Sequence, residues 1–295
     1  MLRTFFMIGC TFLINARKLN GFFVLHPKQI PLTLLKMPYV TTGAVHHSGV
    51  SNEKTLVQYA NEHQYLNINR RLCGSEGQAI WSHLGGTKQK ADCKATIGSV
   101  DHLISIKHHE SSGTFDWINT SKLDSVEPTL SSELKPKIAS FKEKYNNQDV
   151  TAEMRIEMEN IFNGAFENIG SDHIKKLLRD LYEKYPPWIL INHKSENQFI
   201  MYNKENNFSE FLQDEDWEYY LVSMRGKTSR MIFRKKDGVV VNTNLRLRLV
   251  LNNGINALVG KSNSNKTSVP CLKIQQDRVN QLLANLNDAT IDTIN

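Results

Sequence analysis

No two cysteines in this 295-residue chain stand in a C-x-x-C pair. Cys10, Cys73, Cys93 and Cys271 are scattered, which argues against a structural zinc site. Their scatter is that of reduced thiols in an intracellular protein rather than a disulfide framework. Long hydrophobic runs are missing as well. Phe5–Ile14, FFMIGCTFLI, has ten residues, against about 20 for a membrane-spanning helix. Arg3 before it and Asn15-Ala16 after it resemble the flanks of a signal peptide. Arg17 and Lys18 follow directly, however, and the chain lacks a secreted protein's cysteine usage. Residues 20–36 are irregular, with Pro27 and Pro31, and Met37 reads as a fresh start. Residues 1–36 are therefore expected to be an extension, with the folded domain opening near Met37; a targeting or anchoring segment is the alternative. No membrane association is expected. Repeats and low-complexity tracts are absent. Charge of one sign is also weak: 36 Lys and Arg against 30 Asp and Glu give a net charge of +6. That excess is compatible with a polyanionic partner without requiring one.

What is present is an ordinary globular composition, 40% hydrophobic and 22% charged, long enough for one large domain or a core with a subdomain. Ser51-Asn52 caps an apolar-periodic stretch and predicts a helix over 52–63. A second helix is expected over 75–84, stopped by Gly85-Gly86. Residues 121–150 are polar, with a short helix around 134–145. Helices are expected at 151–168 and 171–184, and Pro186-Pro187 ends the helical half. The period then changes to two, predicting strands at 188–193, 198–203, 218–224, 230–234, 244–251 and 270–276, then a closing helix at 277–287. The fold class is α/β or α+β, with a core over 37–190 and a strand-rich half over 191–295 that completes it.

One short stretch carries the chemistry. Residues 85–109 read GGTKQKADCKATIGSVDHLISIKHH. Ala91–Ile97 and His102–Lys107 both alternate, and Gly98-Ser99-Val100-Asp101 suits a four-residue hairpin loop. Pairing Ile97 with His102 would set Lys107 opposite Asp92 and Ser105 opposite Lys94, all four on one face. A plain exposed cross-strand ion pair explains that spacing too, and is worth under about 1 kcal/mol.

The pattern G-G-T-x-x-K-A-D, strand, turn, I-S-I-K resembles the core of the PD-(D/E)XK nuclease superfamily. Within it, S-I-K-H-H resembles a run of HaeIII-type type II restriction endonucleases. R-L-R-L-V-L-N-N-G followed by S-V-P-C-L-K-I-Q is loosely similar to their C-terminal stretch. The resemblance covers about 25 residues in the core and about 35 more near the C-terminus. It implies a restriction-endonuclease-like core, a mixed sheet flanked by helices, and Mg2+-dependent cleavage of double-stranded DNA at a short sequence. Asp92 then takes the metal-binding position and Lys107 the lysine position. Ser105 stands where the family has Asp or Glu. Glu53, on the first helix, is the first candidate for the missing acid, Glu110 the second and Asp116 the third. His108 and His109 point opposite ways on a strand, so at most one joins the site.

DNA recognition needs base-edge donors as well as phosphate contacts. Arg246 and Arg248 share one strand face, as do Lys273 and Gln275. Asn252 and Asn253 follow the first pair, and Arg225, Lys227, Arg230 and Arg234 form another basic group. An ordinary solvated sheet face is the competing reading. Lys175, Lys176, Arg179 and Lys184 read as the wet face of an amphipathic helix. The expected partners are double-stranded DNA, a second copy of the chain for two-strand cutting, and a cognate DNA methyltransferase. The expected location is cytoplasmic or DNA-associated. A non-catalytic nucleic-acid-binding protein with a degenerate nuclease core is the alternative that Ser105 supports.

Overall fold

The computed structural model describes residues 45–74, 77–85, 90–109, 114–206, 216–224, 228–262, 267–286 and 288–294. All of these belong to one compact unit. Residues 1–36, Glu110, Arg225 and Lys227 lie outside them. The elements run α1 (Val45–Glu62), α2 (Asn67–Cys73), β1 (Ile80–His83), β2 (Cys93–Ile97), β3 (Val100–His109), β4 (Phe115–Thr120), α3 (Leu123–Val126), α4 (Pro128–Lys144), α5 (Ala152–Ala165) and α6 (Ser171–Lys184). They continue with β5 (Trp188–His193), β6 (Gln198–Asn203), β7 (Glu218–Ser223), β8 (Ser229–Lys236), β9 (Val239–Leu251), a short helix Gly254–Leu258, β10 (Pro270–Gln276), a short helix Val279–Ala284 and β11 (Ala289–Thr293). Among the described residues, no helix is long and apolar enough to cross a membrane.

The strands form two sheets, a six-stranded one in the order β1-β2-β3-β5-β6-β11 and a five-stranded one in the order β4-β10-β9-β8-β7. The first is mixed: β3 and β5 run parallel, and their neighbours are antiparallel. The second is antiparallel throughout. A parallel pair needs a long crossover, and here the crossover from β3 to β5 carries α3 to α6. The architecture is thus α/β, with helices flanking a mixed and an antiparallel sheet and strands filling the C-terminal half.

Both faces of the first sheet are covered. Ile189, Ile191, Ile200 and Tyr202 join one core with α4–α6 and the inner face of the second sheet, where Leu245, Leu247, Leu249, Leu272 and Ile274 are buried. The opposite face buries Leu190, Phe199 and Met201, which alternate with the first set along β5 and β6 as the pleat demands. Tyr59 of α1 meets Phe199 edge-on at 5.9 Å.

Helices α1 and α2 are tied to this sheet by side-chain amides. Asn61 makes two 2.8 Å bonds with the backbone of Trp81, accepting from its N–H and donating to its carbonyl. Asn69 accepts from the Trp81 indole at 2.6 Å. Buried Asp292 on β11 reaches back to the start of α2, accepting from the N–H groups of Asn67 at 2.7 Å and Ile68 at 2.8 Å. Those amides have no partner within the helix, so a carboxylate there caps it and meets the positive end of its dipole. Asp292→Ala is expected to cost about 2 kcal/mol, measured by urea unfolding; Asp292→Asn, which keeps one acceptor, should cost less.

Four expectations need correction. Ser51 and Asn52 do not cap the first helix but lie inside α1, which already runs from Val45. The expected helix over 75–84 is instead a strand from Ile80 to His83, paired with β2 through Trp81↔Ala95. Four apolar-rich residues before a glycine pair do not distinguish the two, and the edge of β2 decides for the strand. The hairpin turns through two residues, with Ile97 paired to Val100. Gly98 has φ of 58°, which suits a type II′ turn. The register therefore moves by two residues: Lys94 faces Leu103, and Cys93 faces Ile104. A two-residue shift keeps every side chain on its expected face while changing its partner. Lys94 is accordingly paired with Asp101 at 2.7 Å, not set beside Ser105. Finally, α4 starts at Pro128 rather than near 134, since proline fits the first helical turn.

Candidate functional site

Asp92 sits at the last position before β2. Its backbone remains in the sheet, donating to the Ile104 carbonyl at 2.9 Å and accepting from Leu84 N–H at 3.0 Å. Its carboxylate turns to β3: one oxygen, Oδ2, accepts from Ile106 N–H at 2.6 Å and from Ser105 Oγ at 2.9 Å. The side chain therefore replaces a ladder bond that β2 no longer provides. Ser105, where a second carboxylate was expected, is fully buried and spends its hydroxyl on Asp92.

Lys107 lies two residues on, on the same face of β3. Its Nζ donates to the Tyr185 hydroxyl at 3.2 Å and stands 4.7 Å from the Tyr185 ring centroid and 5.7 Å from that of Trp117. Burial pushes the Lys107 ammonium down to about 8, with Lys90 adding to the shift and Asp92, Asp116 and Glu53 opposing it. A lysine so placed is partly neutral near physiological pH.

Glu53 reaches the same place from α1, hydrogen-bonded to His83 Nε2 of β1 at 3.0 Å. Burial raises its carboxyl above the usual range; the His83 bond opposes this, while the Asp92 charge adds to it. The Asp92 and Lys107 charges both act on Glu53, and the Asp92 and Glu53 charges both act on Lys107, so these three expected residues share one electrostatic cluster. Lys90 belongs to it as well: its Nζ lies 5.5 Å from the Tyr185 ring centroid, and burial lowers its pKa against the pull of Asp92. Asp116, the third-choice acid, accepts from Lys273 Nζ at 2.8 Å and from Gln275 Nε2 at 2.5 Å, both on β10. It acts on Lys107 through its charge.

The stability linkage of Lys107 has a definite sign. Its folded pKa lies below its ordinary value of 10.5, so the unfolded chain binds more protons between about pH 8 and 10.5. Stability should therefore rise across that window and be lowest below it. At about 1.4 kcal/mol for each unit of displacement, the gain in the wild type should exceed that in Lys107→Met by up to about 3 kcal/mol. Urea unfolding at pH 7.5 and pH 10 in both proteins measures this, and equal slopes would refute it.

The second sheet brings the expected recognition residues together in part. Registers Arg246↔Gln275 and Arg248↔Lys273 put these four on one face, where Gln275 is buried and Arg246 and Lys273 are half-buried. Arg246 donates to Gln275 Oε1 at 3.0 Å and Thr114 Oγ1 at 3.2 Å, and lies 3.7 Å from Asp277. Arg248 is exposed. Arg230, by contrast, points to the helical side, donating to Asn163 Oδ1 at 2.9 Å with its guanidinium 5.1 Å from the Phe166 ring. Asn252 and Asn253 hold backbone: Asn252 Oδ1 accepts from Val269 N–H and Asn253 Nδ2 donates to the Thr267 carbonyl. Arg234 stacks on Trp217 at 4.2 Å.

His108 and His109 diverge as expected. Burial, then Lys194 and Lys107, push His108 down to about 4, while His109 contacts His193 and Asn280. A cleft of about 700 Å3 between α3, α4 and the helix Gly254–Leu258 contains none of the candidate residues. Sequence reasoning missed Tyr185, Trp117 and His83, and gave no role to Lys90, the lysine of the G-G-T-x-x-K-A-D pattern. Tyr185 directly precedes the Pro186-Pro187 stop signal, which carries no hint of a site. Trp117 owes its position to a β-bulge in β4, where Ile274 pairs with Ile118 but Gln275 with Asp116. No signal in the chain announces that bulge.

Among the described residues, no group of three or more His, Cys, Asp or Glu side chains is arranged to hold a metal ion. No protein-family model, curated protein or solved structure matches the chain.

Proposed function

We propose that this chain is a Mg2+-dependent endonuclease that hydrolyses phosphodiester bonds of double-stranded DNA at a short sequence, with a restriction-endonuclease-like core. The observation that carries the reading is the convergence of Asp92, Glu53 and a half-buried, pKa-lowered Lys107 at one end of a β-hairpin. The donor set suits magnesium rather than zinc. Magnesium commonly takes one or two carboxylates and completes its shell with water and substrate phosphate. Asp92 has its Oδ1 free of the two bonds on Oδ2, and Glu53 supplies the second carboxylate. A cation between them would relieve their repulsion. When bound, magnesium supplies charge neutralisation at the phosphate and a more acidic water.

The chain's own residues have separable tasks. Lys107 Nζ, when neutral, accepts a proton from the attacking water; when charged, it donates to a phosphate oxygen. Asp92 orients the start of β2 against β3, so its carboxylate and Lys107 keep a fixed spacing. Arg248 is the exposed donor for phosphates and base edges, and Lys273, Arg246 and Gln275 would join it by exchanging their bonds to Asp116 and to one another. Cutting both strands favours a homodimer, and a chain that cuts at a short sequence calls for a cognate methyltransferase to protect the host's copies.

Incubating the full chain with supercoiled plasmid DNA, with Mg2+ or with EDTA, tests this. Discrete fragments in Mg2+ alone are expected. The bond from Ser105 to Asp92 favours one second reading, a non-catalytic nucleic-acid-binding protein with a degenerate core; retarded but intact plasmid would establish that reading instead.

A further inference from the structure

We propose that Tyr185 is a positioning residue for Lys107, its phenol oxygen and ring face, with Trp117 as a second wall, holding Lys107 Nζ within reach of the Asp92 charge. This rests on the nuclease reading for its catalytic meaning, though not for its geometry. Tyr185 is the residue that ends α6, and three features fix its backbone. The Lys204 ammonium donates to the carbonyls of Tyr182 and Tyr185. Pro186 restricts the residue before it to extended geometry, and Tyr185 has φ −87° and ψ 145°. Trp188 then enters β5 paired with Ile104 of β3. The crossover that makes β3 and β5 parallel thus delivers the phenol onto Lys107.

The side chain is fixed as well. Tyr185 is buried and meets Trp117 edge-on at 5.1 Å with an interplanar angle of 89°. The Trp117 indole N–H donates to Gln276 at 3.1 Å. A lysine has a long flexible stem and three donors. Two aromatic faces and one hydroxyl acceptor confine it to one place and leave the other N–H directions open. The charges around it come from every neighbouring element: Asp92 and Lys90 before β2, Glu53 on α1 and Asp116 on β4, with Lys184 of α6 acting on Lys90.

The test uses Tyr185→Phe and Tyr185→Leu in the full chain, with thermal melting as a check on folding. In plasmid cleavage, Tyr185→Phe should lower kcat about tenfold at unchanged KM, the loss of one hydrogen bond to a charged group. Tyr185→Leu should lower it about a hundredfold, since the ring is lost as well. The second readout needs no activity: NMR of the lysine Hε protons, with Lys107 assigned by its absence in Lys107→Met. Ring currents should shift the Lys107 signal upfield in wild type and in Tyr185→Phe, and the shift should shrink in Tyr185→Leu. An ordinary Lys107 shift in wild type, or one unchanged in a folded Tyr185→Leu, overturns the proposal. So does full kcat in both variants of an active enzyme. If wild type leaves plasmid uncut, the nuclease reading fails, and the NMR result still decides whether Tyr185 positions Lys107.

Discussion

Lys107→Ala and Asp92→Asn are each expected to reduce magnesium-dependent DNA cleavage at least about a thousandfold, the scale of losing a general base or an electrostatic stabiliser. The choice of asparagine matters. Asp92 Oδ2 accepts from the Ile106 N–H and the Ser105 hydroxyl, and an asparagine oxygen can keep accepting from both. Asp92→Ala would leave both donors without that partner and cost about 1–3 kcal/mol in addition. Its lost activity would then mix chemistry with folding. Lys107→Ala removes a half-buried ammonium whose desolvation opposes folding, so stability should be unchanged or higher at neutral pH. Plasmid cleavage beside thermal melts separates these effects. Wild-type rates in both Lys107→Ala and Asp92→Asn would end the nuclease assignment.

Ser105→Asp carries the second large effect. Ser105 Oγ lies 2.9 Å from Asp92 Oδ2 and is fully buried. A carboxylate placed there would crowd Asp92, and two carboxylates at that range cannot both ionise without a cation or a shared proton. Without divalent ions at pH 7.5 the variant should lose about 3 kcal/mol, the energy of a shift of roughly two units. Mg2+ should stabilise both proteins, because a ligand that binds only the folded state stabilises it, and the variant by more, since the cation also relieves the repulsion of the added carboxylate. Thermal melts of both proteins with Mg2+ or EDTA provide the measurement. A variant destabilised equally in both conditions would show that the position next to Asp92 does not face a metal site.

The candidate site was partly legible because it rests on local pattern. Alternation alone assigns Asp92, Ser105 and Lys107 to one face of two strands, and that survives the corrected turn because the register moved by an even number. Arg246, Arg248, Lys273 and Gln275 likewise follow from a period of two. Most of the strands after residue 188 fall where alternation puts them. Elements with weaker signals did not: β1, β11 and α2 are short, and β4 and β11 pair with strands far away in the chain.

By itself the sequence determined the faces of its strands, the helix α6, the proline stop after Tyr185 and the acidic and basic residues available for chemistry. Tertiary structure alone decided which of them meet. A two-residue turn at Gly98-Ser99 set Asp92 against Ser105 instead of Lys107. A parallel crossover brought Tyr185 onto Lys107, and amides on α1 and α2 tied that helical layer, which carries Glu53, to β1. These are contacts between residues many positions apart, fixed by packing and by backbone donors that need acceptors. Neither leaves a periodicity in the chain from which it could be read.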